Sequence, residues 1–144
     1  MTISPMKTAH IPAVAELERQ CFSSPCSEQG LFEYLNMNGS HFLVAEDGDV
    51  LLGYAGLYTV PDEGCITNIA VRPGQRRQGI AKALLSAQID FCKHIGCRTV
   101  TLEVRQSNTA ARALYEQLGF AQVGIRPEFY QNPQEAAVLY TKVC

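Results

Sequence analysis

The sequence feature that most constrains the fold is a basic, glycine-containing loop between a predicted strand and a predicted helix. It reads Ile69-Ala-Val-Arg-Pro-Gly-Gln-Arg-Arg-Gln-Gly-Ile-Ala-Lys. The free N–H groups and the dipole at a helix start attract anions, and Gly79 lets a ligand approach the main chain closely. Arg76, Arg77 and Lys82 add positive charge beside it. The stretch favours an anion-binding loop; a solvated basic turn is the alternative.

Two nucleotide-binding patterns do not fit this loop. The phosphate-loop pattern begins with Gly74 and Gly79, but Ile80 and Ala81 stand where it requires Lys followed by Ser or Thr. A nucleotide-hydrolysing site would therefore lack its phosphate lysine and its metal-binding hydroxyl. The dinucleotide pattern G-x-G-x-x-G is absent.

Strand and helix signals follow one another in an order typical of a mixed α/β sheet. Strands are predicted over 2–6, 41–46, 51–60, 65–71, 99–105, 120–125 and 136–143. Helices are predicted over 8–22 with Thr8 as the cap, after the cap Ser27, over 80–95, and over 108–118. The third helix should bury the face that carries Ile80, Leu84, Ala87, Phe91 and Ile95.

Length and composition predict one soluble domain over 1–144. The chain has 144 residues, a hydrophobic fraction of 47% and a net charge of −2, which disfavours a globally basic nucleic-acid binder. Neither an apolar run of the ~18 residues that a membrane span needs nor a signal-peptide pattern is present. We therefore expect a cytoplasmic protein, a monomer or weak dimer, without a nucleic-acid or membrane partner.

The six cysteines predict neither a disulfide scaffold nor a metal site. They lie mainly among apolar neighbours, where a free cysteine behaves as a small hydrophobe. The tract Cys92-Lys-His94-Ile-Gly-Cys97 contains metal-ligating residue types. Helix positions two apart point to different sides, and no second pair stands at ligand spacing.

Four sequence blocks resemble the GNAT family of N-acetyltransferases over nearly the whole chain. Arg76-Arg77-Gln78-Gly79-Ile80-Ala81 fits the family's pattern [RQ]-x-x-G-x-[GA]. Asn68-Ile-Ala-Val, Leu102-Glu-Val-Arg-Gln-Ser-Asn and Ala113-Leu-Tyr-Glu-Gln-Leu-Gly-Phe are similar to the bacterial branch that acetylates the N-terminal alanine of a ribosomal protein. The resemblance implies a single-domain GNAT fold, with a mixed, mostly antiparallel sheet flanked by helices.

The resemblance also implies acetyl-coenzyme A as co-substrate and no metal. Main-chain groups of Ile69, Ala70 and Val71 would hold the acetyl-pantetheine arm like an added strand. The residues around the pyrophosphate would be Arg76, Arg77, Gln78, Gly79, Ile80, Ala81 and Lys82. A pyrophosphate needs convergent N–H donors and cations, and this loop supplies both.

Catalytic roles are implied for one carboxylate and one phenol. Glu103 would be the general base; from the pattern alone, a salt bridge with Arg105 or another cation is equally open. Tyr115 would contact the cofactor and protonate the departing thiolate, whereas surface packing is the alternative for a single tyrosine. Asn108 would also contact the cofactor, and its alternative role is the helix N-cap, for which Ser107 competes.

The substrate side matches the family less closely. Tyr130 would line the peptide slot; its alternative is a loop aromatic that covers the edge of the core. Cys26 stands where a Trp is usual, and Ala136 stands where an Asp is usual. The predicted function is direct acetyl transfer to a protein N-terminal amine, the alanine of a small-subunit ribosomal protein. A lysine side chain, a small-molecule amine, or a non-catalytic acyl-coenzyme A sensor are the alternatives.

Overall fold

One mixed sheet extends through the computed structural model, which describes residues 1–76 and 79–144. Its strands are β1 (Thr2–Pro5), β2 (Ser40–Asp47), β3 (Val50–Val60), β4 (Glu63–Val71), β5 (Thr99–Arg105), β6 (Ala121–Tyr130) and β7 (Glu135–Val143). The helices are α1 (Ile11–Cys21), α2 (Glu28–Leu35), α3 (Ile80–His94) and α4 (Thr109–Gln117). Short 3-10 turns cover Thr8–His10 and Pro73–Gln75.

The strand order is β1-β2-β3-β4-β5-β7-β6. Within the described residues, β4 and β5 form the one parallel pair, and the other neighbouring strands are antiparallel. This arrangement confirms the predicted mixed, mostly antiparallel sheet. It also makes β5 a central strand and β6 an edge strand.

The two parallel strands stay together only at their beginnings. β4 and β5 pair from Glu63 opposite Thr99 to Cys65 opposite Thr101. β4 then continues to Val71 against β3 alone, and an irregularity in that pairing leaves Thr67 without an opposite residue. Bulges of this kind re-aim a strand. The sheet is therefore forked, and the fork opens at the carboxyl ends of β4 and β5.

The two faces of the sheet are covered unequally. On one face, α3 and α4 bury a cluster that includes Leu85, Val100, Leu102, Tyr115 and Tyr140. On the other face, α1 and α2 cover the first strands through residues such as Val14, Leu17, Leu31, Phe42 and Tyr54. On that second face, the β5 side chains remain half-buried. This half of the sheet is therefore available to a ligand.

Several predicted element limits need correction. Thr8 does not cap a helix; it begins the 3-10 turn, and α1 starts at Ile11. Ser27 caps α2 as predicted, because its Oγ accepts from the Gly30 N–H at 3.0 Å. β6 continues through Pro127 to Tyr130, beyond the predicted end at 125. Proline is tolerated there because β6 is an edge strand, whose outward N–H groups need no partner.

The buried face of α3 is rotated from the predicted face. Leu84 and Ile80 are buried as predicted, but Ile95 lies beyond the helix and is 47% exposed. Gln88 is fully buried instead, because its Nε2 donates to the carbonyls of His41 at 2.8 Å and Ala55 at 2.9 Å. On the buried face of α3, the polar Gln88 side chain thus takes a position expected for an apolar residue, and burial is tolerated because both of its donor hydrogen bonds are made.

Two further predictions concern the cysteines and the membrane. All six cysteines carry free thiols. Over the described ranges, the helices are too short or too polar to span a bilayer.

Candidate active site

A cleft of about 530 Å³ opens on the uncovered face of the sheet, beside the fork. Glu103 projects into it from the middle of β5. The wall is formed by strands β4 to β7: Cys65, Ile66, Thr67, Thr101, Leu102, Val123, Phe129, Tyr130, Leu139, Tyr140 and Thr141. The volume is within the range of small-ligand pockets, and the carboxylate is a polar group on a largely apolar wall.

Glu103 has an ionic partner, but it is not Arg105. Its Oε1 lies 3.5 Å from Nη1 of Arg126 on β6. Arg105, on the same face two residues along β5, pairs with Glu135 instead, at 3.3 Å. The Arg126 side chain is 55% exposed, and an exposed ion pair is weak. The carboxylate can therefore exchange this partner for an incoming ammonium group.

Tyr115 projects from α4 onto the opposite face of the sheet. It is 5% exposed and contacts Phe120 and Tyr140 with ring centroids 6.0 Å away in both cases. Burial, with a smaller contribution from Tyr130, raises the pKa of the Tyr115 phenol to about 12. With this pKa the phenol is neutral near neutral pH. Within the described part of the chain its hydroxyl has no hydrogen-bond partner, so it is free to donate a proton.

At the fork, the two faces of the sheet that carry Glu103 and Tyr115 are open to each other. Along β5 the Glu103 side chain points to one face. The neighbouring Leu102 and Val104 side chains point to the other face, where they pack in the same cluster as Tyr115. A molecule between the separated ends of β4 and β5 would thus have Glu103 on one side and Tyr115 on the other. Tyr130 lines the same cleft as Glu103. Burial raises the pKa of the Tyr130 phenol, and the charge of Glu103 raises it further.

The predicted anion-binding loop has suitable geometry where it is described. Gly79 precedes α3 with φ at +77°, and a Cβ on it would meet no atom of the described residues within 4 Å. Gly79 is the N-cap residue and has no side chain that could cap this helix, so the first N–H groups can bind a ligand. Arg76 and Lys82 are exposed beside it. The predicted residues Arg77 and Gln78 lie outside the described residues.

The other residues predicted to surround the pyrophosphate lie in the first turn of α3. The Ile80 side chain is buried against the sheet and anchors that turn. Ala81 is half-buried and small. Both can therefore contribute main-chain N–H groups while leaving the approach open.

The main chain from Ile69 to Val71 borders the fork. These residues pair with β3, from Ala55 opposite Ile69 to Gly53 opposite Val71. The described structure provides no strand partner on their other side. The Val71 carbonyl accepts weakly from Arg76 Nε at 3.4 Å. An extended ligand could therefore form hydrogen bonds with this open strand edge, and the acetyl-pantetheine arm of the predicted co-substrate is a ligand of that kind.

Two further predicted residues have defined positions. Asn108 is exposed and caps α4, because its Oδ1 accepts from the Ala111 N–H at 3.2 Å. The alternative role is therefore the one observed, and its side-chain amide donors remain available. Tyr130 is half-buried in the cleft wall, with the Arg105 guanidinium 4.6 Å from its ring centroid.

The sequence analysis missed two residues at the cleft. Arg126 was not identified as a partner of Glu103, and Arg105 was considered only in that role. The alternation of side chains along β5 does place Arg105 on the face of Glu103. Among the described residues, no group of three His, Cys, Asp or Glu side chains is arranged to hold a metal ion.

Comparison with known proteins agrees with this geometry. Residues 11–120 match the model of the acetyltransferase (GNAT) family. The ribosomal protein bS18-alanine N-acetyltransferase of Escherichia coli K12 is 38% identical over 129 residues, which cover 90% of this chain and 86% of that protein. A putative enzyme of the same name from Bacillus subtilis is 34% identical over 140 residues, covering 96% and 93%.

Solved structures give the same result. The crystal structure of the Escherichia coli ribosomal-protein-S18-alanine N-acetyltransferase superposes with a TM-score of 0.91 at 34% identity, covering 99% of this chain and 92% of that one. Arabidopsis thaliana NAA60 in complex with acetyl-CoA has a TM-score of 0.87 at 18% identity, covering 99% and 97%, and shares the fold. With the forked sheet, the glycine at the start of α3 and the carboxylate in the cleft, these matches establish that the chain belongs to the acetyltransferase (GNAT) family.

Proposed function

We propose that the chain transfers acetyl from acetyl-coenzyme A directly to a protein N-terminal amine, with the N-terminal alanine of ribosomal protein bS18 as the acceptor. The observation that carries the chemistry is the position of Glu103 and Tyr115 on the two sides of the fork. The acceptor is suggested by the names of relatives that are 34% and 38% identical. Residues 1–144 would act as one domain, because the sheet uses strands from both ends of the chain.

The co-substrate would lie along the fork. Main-chain groups of Ile69, Ala70 and Val71 would bind the pantetheine arm. The start of α3 would bind the pyrophosphate through Gly79, Ile80 and Ala81, with the cations Arg76 and Lys82 beside it; Arg77 and Gln78 belong to the same predicted set. Asn108 would donate from its amide. Acetyl-coenzyme A supplies the acetyl group as an activated thioester.

The protein side chains would manage the protons. A peptide α-amine has a pKa of about 7.7–8.0, so much of it is protonated near neutral pH and cannot attack a carbonyl. Glu103 would accept that proton, directly or through a water molecule. Main-chain N–H groups of β4 would stabilise the negative charge that develops on the acetyl oxygen. Tyr115, kept neutral by burial, would donate its proton to the departing sulfur.

The acceptor would enter through the cleft and pass over Tyr130. We further propose that the protein acts in the cytoplasm as a monomer or weak dimer, without a nucleic-acid or membrane partner. The net charge of −2 supports this part of the proposal because it offers no general attraction to phosphate backbones or anionic lipids.

A peptide panel tests the function. The protein is incubated with acetyl-coenzyme A and one of three peptides: the first residues of bS18 beginning with alanine, the same peptide with its amine blocked, and a blocked peptide with one lysine. Mass spectrometry should detect acetylation of the free N-terminal alanine alone. Acetylation of the lysine peptide instead would assign side-chain chemistry, and binding without any transfer would identify a sensor.

A further inference from the structure

Arg105 connects the catalytic strand to the turn between β6 and β7. It is the last residue of β5, two residues after Glu103 and on the same face. Its Nη1 donates to the Pro133 carbonyl and its Nη2 to the Gln131 carbonyl, each at 2.8 Å. Nη1 also lies 3.3 Å from Oε1 of Glu135. One guanidinium therefore holds two carbonyls of this turn and the carboxylate of Glu135, the first residue of β7.

The same guanidinium stacks on the cleft wall. Its central carbon lies 4.6 Å from the ring centroid of Tyr130. Phe129 packs edge-on against that ring, with the centroids 5.0 Å apart. Both aromatic residues line the cleft into which Glu103 projects. Arg105 thus contacts a residue of the cleft wall directly.

Glu135 fixes the other end of this arrangement. Its second oxygen accepts from the Ser107 N–H, just beyond β5, while the first faces Arg105. The Ser107 hydrogen bond and the charge of Arg105 lower the pKa of the Glu135 carboxyl. The carboxylate remains charged and holds both partners.

The strand pairing leaves this segment in need of such support. The β6–β7 register is irregular between Arg126 and Tyr130, and Glu128 and Asn132 have φ at +55°. In the part of the chain that the structure describes, β6 also has no neighbouring strand on its outer side. Ladder hydrogen bonds alone therefore hold the segment poorly, and the Arg105 bonds substitute for them.

We propose that Arg105 is a positioning residue for the acceptor peptide. By holding Tyr130 and the turn at 131–134 it shapes the cleft wall over which the peptide lies, without contacting the reacting atoms. This inference rests on the proposed function, because it requires a peptide in that cleft. Lysine cannot replace arginine here, since an ammonium lacks the planar fork that bonds two carbonyls and stacks on a ring.

The test compares Arg105→Lys with Arg98→Lys, a matched change at an exposed residue just before β5. For Arg105→Lys, we expect the peptide KM to rise about tenfold, the cost of losing one or two well-oriented hydrogen bonds. The kcat and the acetyl-coenzyme A KM should stay near wild type. Arg98→Lys should change none of the three. A lower kcat with an unchanged peptide KM would overturn the proposal.

Two further measurements separate this inference from the proposed function. Hydrogen exchange across 126–136 should accelerate in Arg105→Lys and not in Arg98→Lys, whatever the substrate is; unchanged exchange would overturn the positioning role. In a Tyr130→Leu background, Arg105→Lys should raise the peptide KM less than it does in the wild type, because the stacked ring is already absent. A full additive increase would contradict action through Tyr130. Failure of the wild type to acetylate any peptide amine would instead defeat the proposed function.

Discussion

The Glu103 carboxylate on β5 and the Arg126 guanidinium on β6 lie 3.5 Å apart beside the cleft. The Arg126 side chain is more than half exposed, so water screens the pair and the pair adds little stability. Because the ion pair is weak, an ammonium group of the acceptor can replace Arg126 beside Glu103 without leaving a buried charge unpaired.

Glu103→Gln keeps the shape of the side chain and removes its basicity. We expect kcat to fall by about 10²–10⁴-fold, the usual contribution of a positioned acid–base group. Part of the loss should return between pH 7 and 9, because solution then deprotonates more of the amine. Steady-state rates across this pH range provide the measurement, with Glu33→Gln on the exposed face of α2 as control. Full activity in Glu103→Gln would show that the role is misassigned.

Tyr115→Phe removes only the donor hydroxyl. Turnover should fall, and higher pH should not restore it, because protons for an unassisted thiolate become scarcer. Coenzyme A should bind as it does to the wild type, since the loop at 76–82 is unchanged; calorimetric titration checks this. Tyr34→Phe, an exposed tyrosine on α2, is the control. Matching pH profiles for Tyr115→Phe and Glu103→Gln would contradict the division of roles.

The raised pKa of Tyr115 also affects stability at alkaline pH. Its folded-state pKa of about 12 exceeds the ordinary value of 10. The contribution of the neutral, buried phenol to the free energy of unfolding is therefore fully present below about pH 10 and is lost as the pH rises towards 12. Between these limits, the wild type should lose roughly 2–3 kcal/mol more unfolding free energy than Tyr115→Phe. Urea unfolding of both proteins at pH 9, 10, 11 and 12 measures this difference; parallel curves would mean that the phenol is not buried.

Gly79 should matter for binding more than for folding. Gly79 and Gly96 stand at opposite ends of α3 with φ at +77° and +88°, and among the residues that the structure describes no atom lies within 4 Å of a Cβ placed on either. Alanine therefore introduces similar backbone strain of about 1–2 kcal/mol at each. Only Gly79→Ala places a methyl group at the proposed pyrophosphate site. Calorimetry should show weaker coenzyme A binding for Gly79→Ala alone; equal affinity in the two variants would argue against the site.

Transfer should proceed without an acetyl-cysteine. Cys65 is the thiol that lines the cleft, and burial raises its pKa, with further increases from the Glu103 and Glu63 carboxylates. A thiol with a raised pKa is a poor nucleophile near neutral pH. After incubation with acetyl-coenzyme A alone, the intact mass should be unchanged. A stoichiometric acetyl group that a peptide then removes would contradict direct transfer.

The sequence predicted best the elements whose signals are local. The limits of β5 were predicted to the residue, because polar and apolar side chains alternate strictly along it. Ser27 was assigned correctly as a cap, since its bond reaches only three residues ahead. The buried face of α3 was predicted less well, because Gln88 is accommodated by carbonyls of β2 and β3. Those partners are more than thirty residues away in sequence.

The same distinction applies to the site. Glu103, Tyr115 and Gly79 belong to motif blocks that the resemblance identified, and the structure brings them to the fork or to the start of α3. The partner of Glu103 could not be predicted, because the irregular β6–β7 register determines where Arg126 lies. Arg105 is closer to Glu103 in sequence than Arg126 is, but its guanidinium donates hydrogen bonds to carbonyls of a turn that is distant in sequence.

The forked sheet has a consequence for self-association. An open strand edge usually invites another chain to pair with it, and proteins protect such edges with charges, prolines or short strands. In this chain the unpaired stretch of β4 lies inside the sheet, between β3 and the continuation of β5. A slender ligand can enter a notch with walls on both sides, whereas a second folded protein has no room to present a strand there. The binding edge can thus stay open between catalytic cycles without promoting aggregation.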